Sequence, residues 1–166
     1  MATERDSIDE MLDIWGRELP ELDLVTEGIV ERIQHLTWTL RKMLEETLAG
    51  HDLSHGEWGL LGQLRRGGPP YRCTPGTLAR RQSLSTGAMT NRLDRLEQAG
   101  FVRRLPDPDD RRSTLVELTD AGRTVWEESV GTQAAKEAVI ADALDAREKD
   151  ELNALLRRLV HSTDAA

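Results

Sequence analysis

From Leu22 the apolar residues Leu22, Val25, Ile29, Ile33, Leu36, Leu40, Leu44 and Leu48 return at steps of three and four, the spacing that gathers side chains onto one face of an α-helix. The pattern predicts one long amphipathic helix, closed by Gly50 and a short connection over His51-Asp52-Leu53-Ser54. Trp58, Leu60, Leu61 and Leu64 mark a second helix over residues 57–66, and Gly67-Gly68-Pro69-Pro70 breaks it. Thr74 ahead of Pro75 is a helix start: the threonine oxygen can cap free backbone N–H groups, and proline is preorganised for the first helical position. A short helix over 75–81 follows, then a turn at Ser83-Leu84-Ser85. Ser85 is placed to cap a further helix from Thr86 to about Gln98, which ends at Gly100. Two helices joined by a tight turn make a helix-turn-helix.

Past Gly100 the period changes. Residues 101–105 and 113–118 read as short strands, separated by Pro106-Asp107-Pro108-Asp109-Asp110, which can continue neither. The expectation is a hairpin with a charged tip. Thr119 then caps a long helix through Trp126 and Val130 toward Ile140, and a last helix carries Leu152, Leu155, Leu156, Leu159 and Val160. The chain is therefore expected to be mainly α with one small β-hairpin.

Charge adds a direction to this outline. The chain of 166 residues carries a net charge of −8, which spread evenly would argue against a polyanionic partner. It is not spread evenly. Between Arg65 and Arg112 eleven arginines face five acidic residues, a balance of +6 that leaves −14 for the remainder. A basic module on an acidic frame suits a nucleic-acid surface, although arginines also solvate ordinary helix faces. No apolar run approaches the roughly 18 residues that span a bilayer. Met1 to Glu10 is acidic and polar, without the basic and apolar regions of a secretory signal. The expected compartment is the cytoplasm, with no membrane partner.

Enzyme chemistry finds little to stand on. There is no phosphate-cradling glycine loop and no nucleophile motif, and the histidines are scattered at 35, 51, 55 and 161, so no catalytic residue, cofactor or metal is expected. His51 and His55 have a metal-like spacing without a third evident ligand. Cys73, the single cysteine, cannot form an internal disulfide.

In a helix-turn-helix the second helix lies in the major groove of duplex DNA with its N-terminal residues against base edges. Met89, Leu93 and Leu96 share one face of the helix begun at Thr86, leaving Thr86, Ala88, Thr90, Asn91 and Arg95 on the others. Arginine pairs bidentately with guanine, asparagine with adenine, and a small apolar surface such as Ala88 can meet a thymine methyl. The hydroxyls of Ser85, Thr86 and Thr90 can equally serve phosphates, which fix register without specifying sequence. Gly87 costs about 1 kcal/mol against alanine inside a helix; a close backbone approach or tolerance near the helix start both account for it. Arg72, Arg80 and Arg81 are weaker phosphate candidates.

From Thr74 to Gly122 the capped helix with Leu78-Ala79, the Leu93…Leu96…Gly100 ending, the Asp-Pro-Asp-Asp-Arg-Arg tip and the Leu118-Thr119-Asp120-Ala121-Gly122 exit together resemble the MarR (multiple antibiotic resistance regulator) family. The resemblance implies a winged helix-turn-helix plus a helical dimerisation region: an N-terminal extension with a short helix over 1–20, dimerisation helices over 21–50 and 120–166, and a DNA-binding lobe over 51–119. It implies a homodimer whose first and last helices interlock, acting on double-stranded DNA at an inverted repeat as a ligand-responsive repressor. The long stripes at 22–48 and 152–160 agree, since a small lobe cannot cover them. The resemblance places the arginine of the wing tip in the minor groove, Arg112 first and Arg111 second, with Asp110 holding it in position.

Many members of that family release DNA on binding a small organic anion or phenolic ligand. A urate-responsive branch has an added N-terminal helix with a tryptophan, which Ile8 to Arg17 with Trp15 resembles, and Arg92 and Arg104 fall at its ligand arginines. The chain departs from that branch at Gly59, which follows Trp58 where the branch has an aspartate. Arg92 and Arg104 have a second reading, as phosphate contacts or ion pairs that brace the lobe. The competing function is a winged helix that binds protein without sequence-specific DNA binding. Peroxide-sensing relatives carry their cysteine in the first long helix, unlike Cys73.

Overall fold

Polar side chains begin the helices where free backbone N–H groups need acceptors. In the computed structural model, which describes residues 4–110 and 113–164, Asp6 caps α1 (Ser7–Glu18) and Ser54 caps α3 (His55–Arg66), each in a reciprocal capping box. Thr74 caps α4 (Pro75–Arg81), Ser85 caps α5 (Thr86–Gln98) and Thr119 caps α6 (Asp120–Ala143). The remaining helices are α2 (Leu24–Ala49) and α7 (Ala146–Asp164). Three short strands, β1 (Arg72–Cys73), β2 (Val102–Pro106) and β3 (Thr114–Leu118), form an antiparallel sheet in the order β1-β3-β2. The fold is mainly helical with a small sheet, as the apolar pattern predicts. No helix among the described residues is long and apolar enough to cross a membrane.

The sheet has one strand more than the expected hairpin. Arg72 stands opposite Glu117 and Cys73 opposite Val116, a two-residue strand too short to show an alternating pattern. Pro106 also ends β2, opposite Thr114, rather than lying wholly in the turn. Its missing N–H is tolerated because β2 is an edge strand. Glu57 occupies the third position of α3 and returns its carboxylate to the Ser54 N–H, so that helix starts at His55 rather than Glu57.

The chain divides into two compact units, one up to Glu46 and one from Thr47 onward. In the first, Arg32 of α2 reaches Asp6 at 3.0 Å and Asp9 at 2.6 Å, tying α1 to α2. Val25, Ile29, Val30, Ile33 and Leu36 along α2 remain exposed.

In the second unit Leu60, Leu61 and Leu64 of α3, Leu78 of α4, Met89, Leu93 and Leu96 of α5, Val102 of β2 and Val116 of β3 make the core, none more than 2% exposed. Burying each such side chain is worth roughly 2 kcal/mol. Where α3 and the end of α2 meet α6 the contact is partly polar. Trp58 Nε1 donates to Ser129 Oγ at 2.9 Å, Thr47 Oγ1 donates to Gln133 Oε1 at 3.0 Å, and the rings of Trp58 and Trp126 stack at 6.3 Å. By contrast α7 has no buried residue, and Leu152, Leu155, Leu156, Leu159 and Val160 are all exposed.

Two corners hold the sheet in place. At the end of α5 the N–H of Phe101 donates to Leu96 O and that of Gly100 to Glu97 O, both at 2.9 Å, with Gly100 at φ +77°. This is a Schellman ending, which needs the left-handed conformation that glycine adopts without penalty. At the start of α6 the hydroxyl of Thr119 donates to Gly100 O and accepts from the Gly122 N–H. A Cβ on Gly122 would fall onto the carbonyl of Phe101. Gly122→Ala is therefore expected to cost about 1–3 kcal/mol or more through overpacking against backbone, while Ala121→Ser, at an exposed neighbour, is expected to be near neutral. Urea unfolding of the two variants checks this; coincident midpoints would refute the close approach.

Candidate nucleic-acid interface

The second helix of a helix-turn-helix can present a polar face only if its other face is anchored. Met89, Leu93 and Leu96 are each 1% exposed, whereas Ser85, Thr86, Ala88, Thr90, Asn91 and Arg95 are all exposed. These six residues, which sequence reasoning names, all lie on the solvent-exposed surface of α5 and its cap. Their hydrogen-bonding capacity differs. Ser85 Oγ accepts from the Ala88 N–H at 3.2 Å, leaving its own proton to donate. Thr90 Oγ1 already donates to Thr86 O at 2.9 Å, so it offers lone pairs and a methyl group rather than a donor. Neither the Asn91 carboxamide nor the Thr86 hydroxyl has a hydrogen-bonding partner among the described residues. A Cβ on Gly87 would meet nothing within 4 Å, so no crowding inside the chain demands glycine there.

Arg95 Nε lies 3.0 Å from Glu57 Oε1, while the arginine side chain stays 64% exposed. Arg92 is turned inward: its Nη1 donates to Gln82 Oε1 at 2.8 Å. A Cβ on Gly56 would collide with the Arg92 guanidinium. Arg104 of β2 reaches back to α5, where its guanidinium pairs with Asp94 at 2.6 Å and with Glu97, and its backbone N–H donates to Glu97 Oε1 at 2.9 Å. Arg104 is thus ion-paired within the lobe, whereas Arg92 is held by an amide rather than a carboxylate. Trp15, half-buried on α1, belongs to the first unit.

Sequence reasoning misses Glu117. It alternates with the buried Val116 and Leu118, so the pattern reads it as a solvent-facing residue. Yet its side chain is only 9% exposed, because arginines from both neighbouring strands close over it. Arg72 and Arg103 are its register partners on β1 and β2. Arg72 Nε pairs with Oε2, and Arg103 Nε donates to Oε1 at 2.7 Å. One carboxylate thereby joins all three strands. Glu57 is missed too: its capping position is legible three residues after Ser54, but its pairing with an arginine 38 positions later in the chain is not.

Asp110 is exposed at the start of the wing tip. Arg111 and Arg112, named for the minor groove, lie outside the described residues. Among the described residues no three or more His, Cys, Asp or Glu side chains are grouped to hold a metal ion.

Burial raises the pKa of the Glu117 carboxyl, but the hydrogen bonds and positive charge of Arg72 and Arg103 outweigh it, and the net displacement is below the ordinary 4.5. A carboxyl lowered on folding contributes stability above its unfolded pKa and loses it as pH falls through the folded value. Melting temperatures of the natural protein and Glu117→Gln are thus expected to differ most at neutral pH and to converge as pH falls below about 4. A gap that is constant with pH would show that the charge of Glu117 does not matter.

Residues 51–113 match the model of the MarR family. The HTH-type transcriptional regulator PecS of Dickeya dadantii is 32% identical over 152 residues, 92% of each chain. The multiple antibiotic resistance protein MarR of Escherichia coli is 36% identical over 88 residues, 52% of this chain and 58% of that one. Among solved structures, wild-type MarR from E. coli in its apo form superposes with a TM-score of 0.66 at 29% identity, covering 78% of this chain and 93% of the other. A mutant MarR from E. coli complexed with operator DNA gives 0.62 at 27% identity, over 87% and 96%.

Proposed function

This chain belongs to the MarR family of transcription regulators, and on that premise we propose that it is a sequence-specific DNA-binding regulator that acts as a homodimer on an inverted-repeat operator. The observation that carries the reading is the polar, exposed face of α5 set on the fully buried seat of Met89, Leu93 and Leu96. Thr86, Ala88, Thr90, Asn91 and Arg95 would meet base edges in the major groove, Thr90 through its methyl group and lone pairs, and Ser85 the phosphate beside them. Residues 51–119 form the DNA-contacting lobe in this account. Arg112, with Arg111 and Asp110, enters the minor groove from the wing tip. The similarity to MarR, whose mutant has been solved with operator DNA, supports a duplex partner.

Dimerisation would use the apolar residues that each unit leaves bare. Five large apolar side chains on α7 and six on α2 are between 38% and 77% exposed, more apolar surface than a free helix face carries without cost in water. Burying them against a second copy across a two-fold axis removes that cost. Repression relieved by a small organic anion or phenolic compound completes the reading. Such an effector must favour the DNA-incompetent arrangement over the competent one. At Arg92 or Arg104 it would also have to compete with Gln82, Asp94 and Glu97.

Selection of genomic fragments by the purified protein at near-physiological salt is expected to enrich an inverted repeat with half-sites about one helical turn apart. Binding should weaken with salt by about 0.9 log units per log unit for each phosphate neutralised. Failure to enrich any sequence would favour a protein partner for the winged helix instead. The double variant Leu155→Glu with Leu159→Glu is expected to convert a sedimenting dimer to a monomer while leaving the helical circular dichroism of the lobe intact. A dimer that survives both charges would move the interface away from α7.

A further inference from the structure

Glu57 holds two groups with one carboxylate. Oε2 accepts from the Ser54 backbone N–H at 2.8 Å and from its hydroxyl at 2.6 Å, and Oε1 faces Arg95 Nε at 3.0 Å. The Glu57 side chain is 9% exposed, so its oxygens are fixed by the start of α3 whether or not Arg95 is present. The guanidinium, by contrast, sits at the end of a long, exposed side chain that would otherwise sample many rotamers. The ion pair at Nε holds the guanidinium beside Glu57 and leaves its terminal nitrogens, which have no partner among the described residues, as a pair of parallel donors.

The two arginines of α5 are therefore in different situations. Arg92 is committed to Gln82 and lies against Gly56. Asn91 and Arg95 stand three and seven positions after Ala88, which places Ala88, Asn91 and Arg95 on one stripe of α5. Beside the Glu57–Arg95 pair is a half-open crevice of about 240 Å³, floored by Leu53, Leu96, Ala99 and Phe101 with the Asp52 carboxylate at its side.

We propose that Glu57 is a positioning residue that orients Arg95 so that its terminal nitrogens pair bidentately with O6 and N7 of one guanine in each half-site. The proposal rests on α5 entering the major groove. Guanine rather than phosphate is the partner because Arg95 shares its stripe with Asn91, and two parallel N–H donors match the two acceptors of a guanine edge.

Glu57→Gln separates the two duties. The single carbonyl oxygen of the amide can still accept from Ser54 and keep the cap, but then an NH2 group faces Arg95 and the attraction is lost. On the operator recovered by genomic selection, affinities of the natural protein, Glu57→Gln, Arg95→Ala and the double variant are measured against that operator. The same four proteins are measured on versions with each G·C pair inverted and on a scrambled duplex. Glu57→Gln is expected to lose about tenfold of discrimination at one G·C pair per half-site, to bind the scrambled duplex as before, and to change nothing further in the Arg95→Ala background. Equal losses on operator and scrambled duplex, or a loss that persists without Arg95, would mean that Glu57 acts only through the fold and would overturn the proposal. An operator recovered and discriminated equally well by Glu57→Gln defeats the positioning role alone. Recovery of no operator defeats the DNA reading and the positioning role together.

Discussion

The buried seat of α5 is the constraint on which the lobe depends. Met89, Leu93 and Leu96 repeat at intervals of four and three, each almost wholly removed from solvent, and together they stabilise the helix by an amount on the order of 6 kcal/mol. That anchorage fixes the rotation of α5 about its own axis. With the rotation fixed, the outward placement of Thr86, Ala88, Asn91 and Arg95 follows from helical geometry alone. The surrounding contacts refine this arrangement. The Schellman ending at Gly100 aims the chain into β2, and Arg104 ties the first strand of the wing back to Asp94 and Glu97 on α5. α5 and the sheet are consequently tied together through both backbone and charge.

Much of this was legible in the sequence because it is local. The apolar period, Thr74 before Pro75, Ser85 three positions before Ala88, and Gly100 after Gln98 are signals carried by a few adjacent residues, and each corresponds to an observed cap, helix or turn. What escaped is long-range or too short to have a period. β1 is two residues long and exists only because Arg72 and Cys73 fall opposite Glu117 and Val116. The burial of Glu117 comes from arginines 45 and 14 positions away, and no alternation pattern contains that information. The polar faces of Ser129 and Gln133 in α6 likewise point inward only because Trp58 and Thr47 meet them there.

The same distinction separates the arginines. Sequence alone shows a basic segment; structure sorts its members by the partners they already have. Arg72 and Arg103 share Glu117, Arg104 has two carboxylates of α5, Arg65 bonds Tyr71 and Glu127, and Arg92 is held by Gln82. Five of the eleven arginines in this segment are therefore engaged in shaping the lobe. A count of basic residues overstates what is free to meet a polyanion, and the count of unoccupied N–H donors is the better measure.

The three-stranded sheet has a consequence for how the molecule behaves at high concentration. An exposed strand edge is a template on which another chain can add a strand, and such addition is a common route to aggregation. Here one edge is two residues long and carries Arg72, while the other carries Arg103 and closes with Pro106, which has no N–H to offer. Neither edge gives an incoming strand a run of free backbone donors and acceptors: the Arg104 N–H is already bonded to Glu97 and Pro106 has none. Strand addition at this sheet is thereby disfavoured, so crowding the protein would not by itself seed growth from its strand edges.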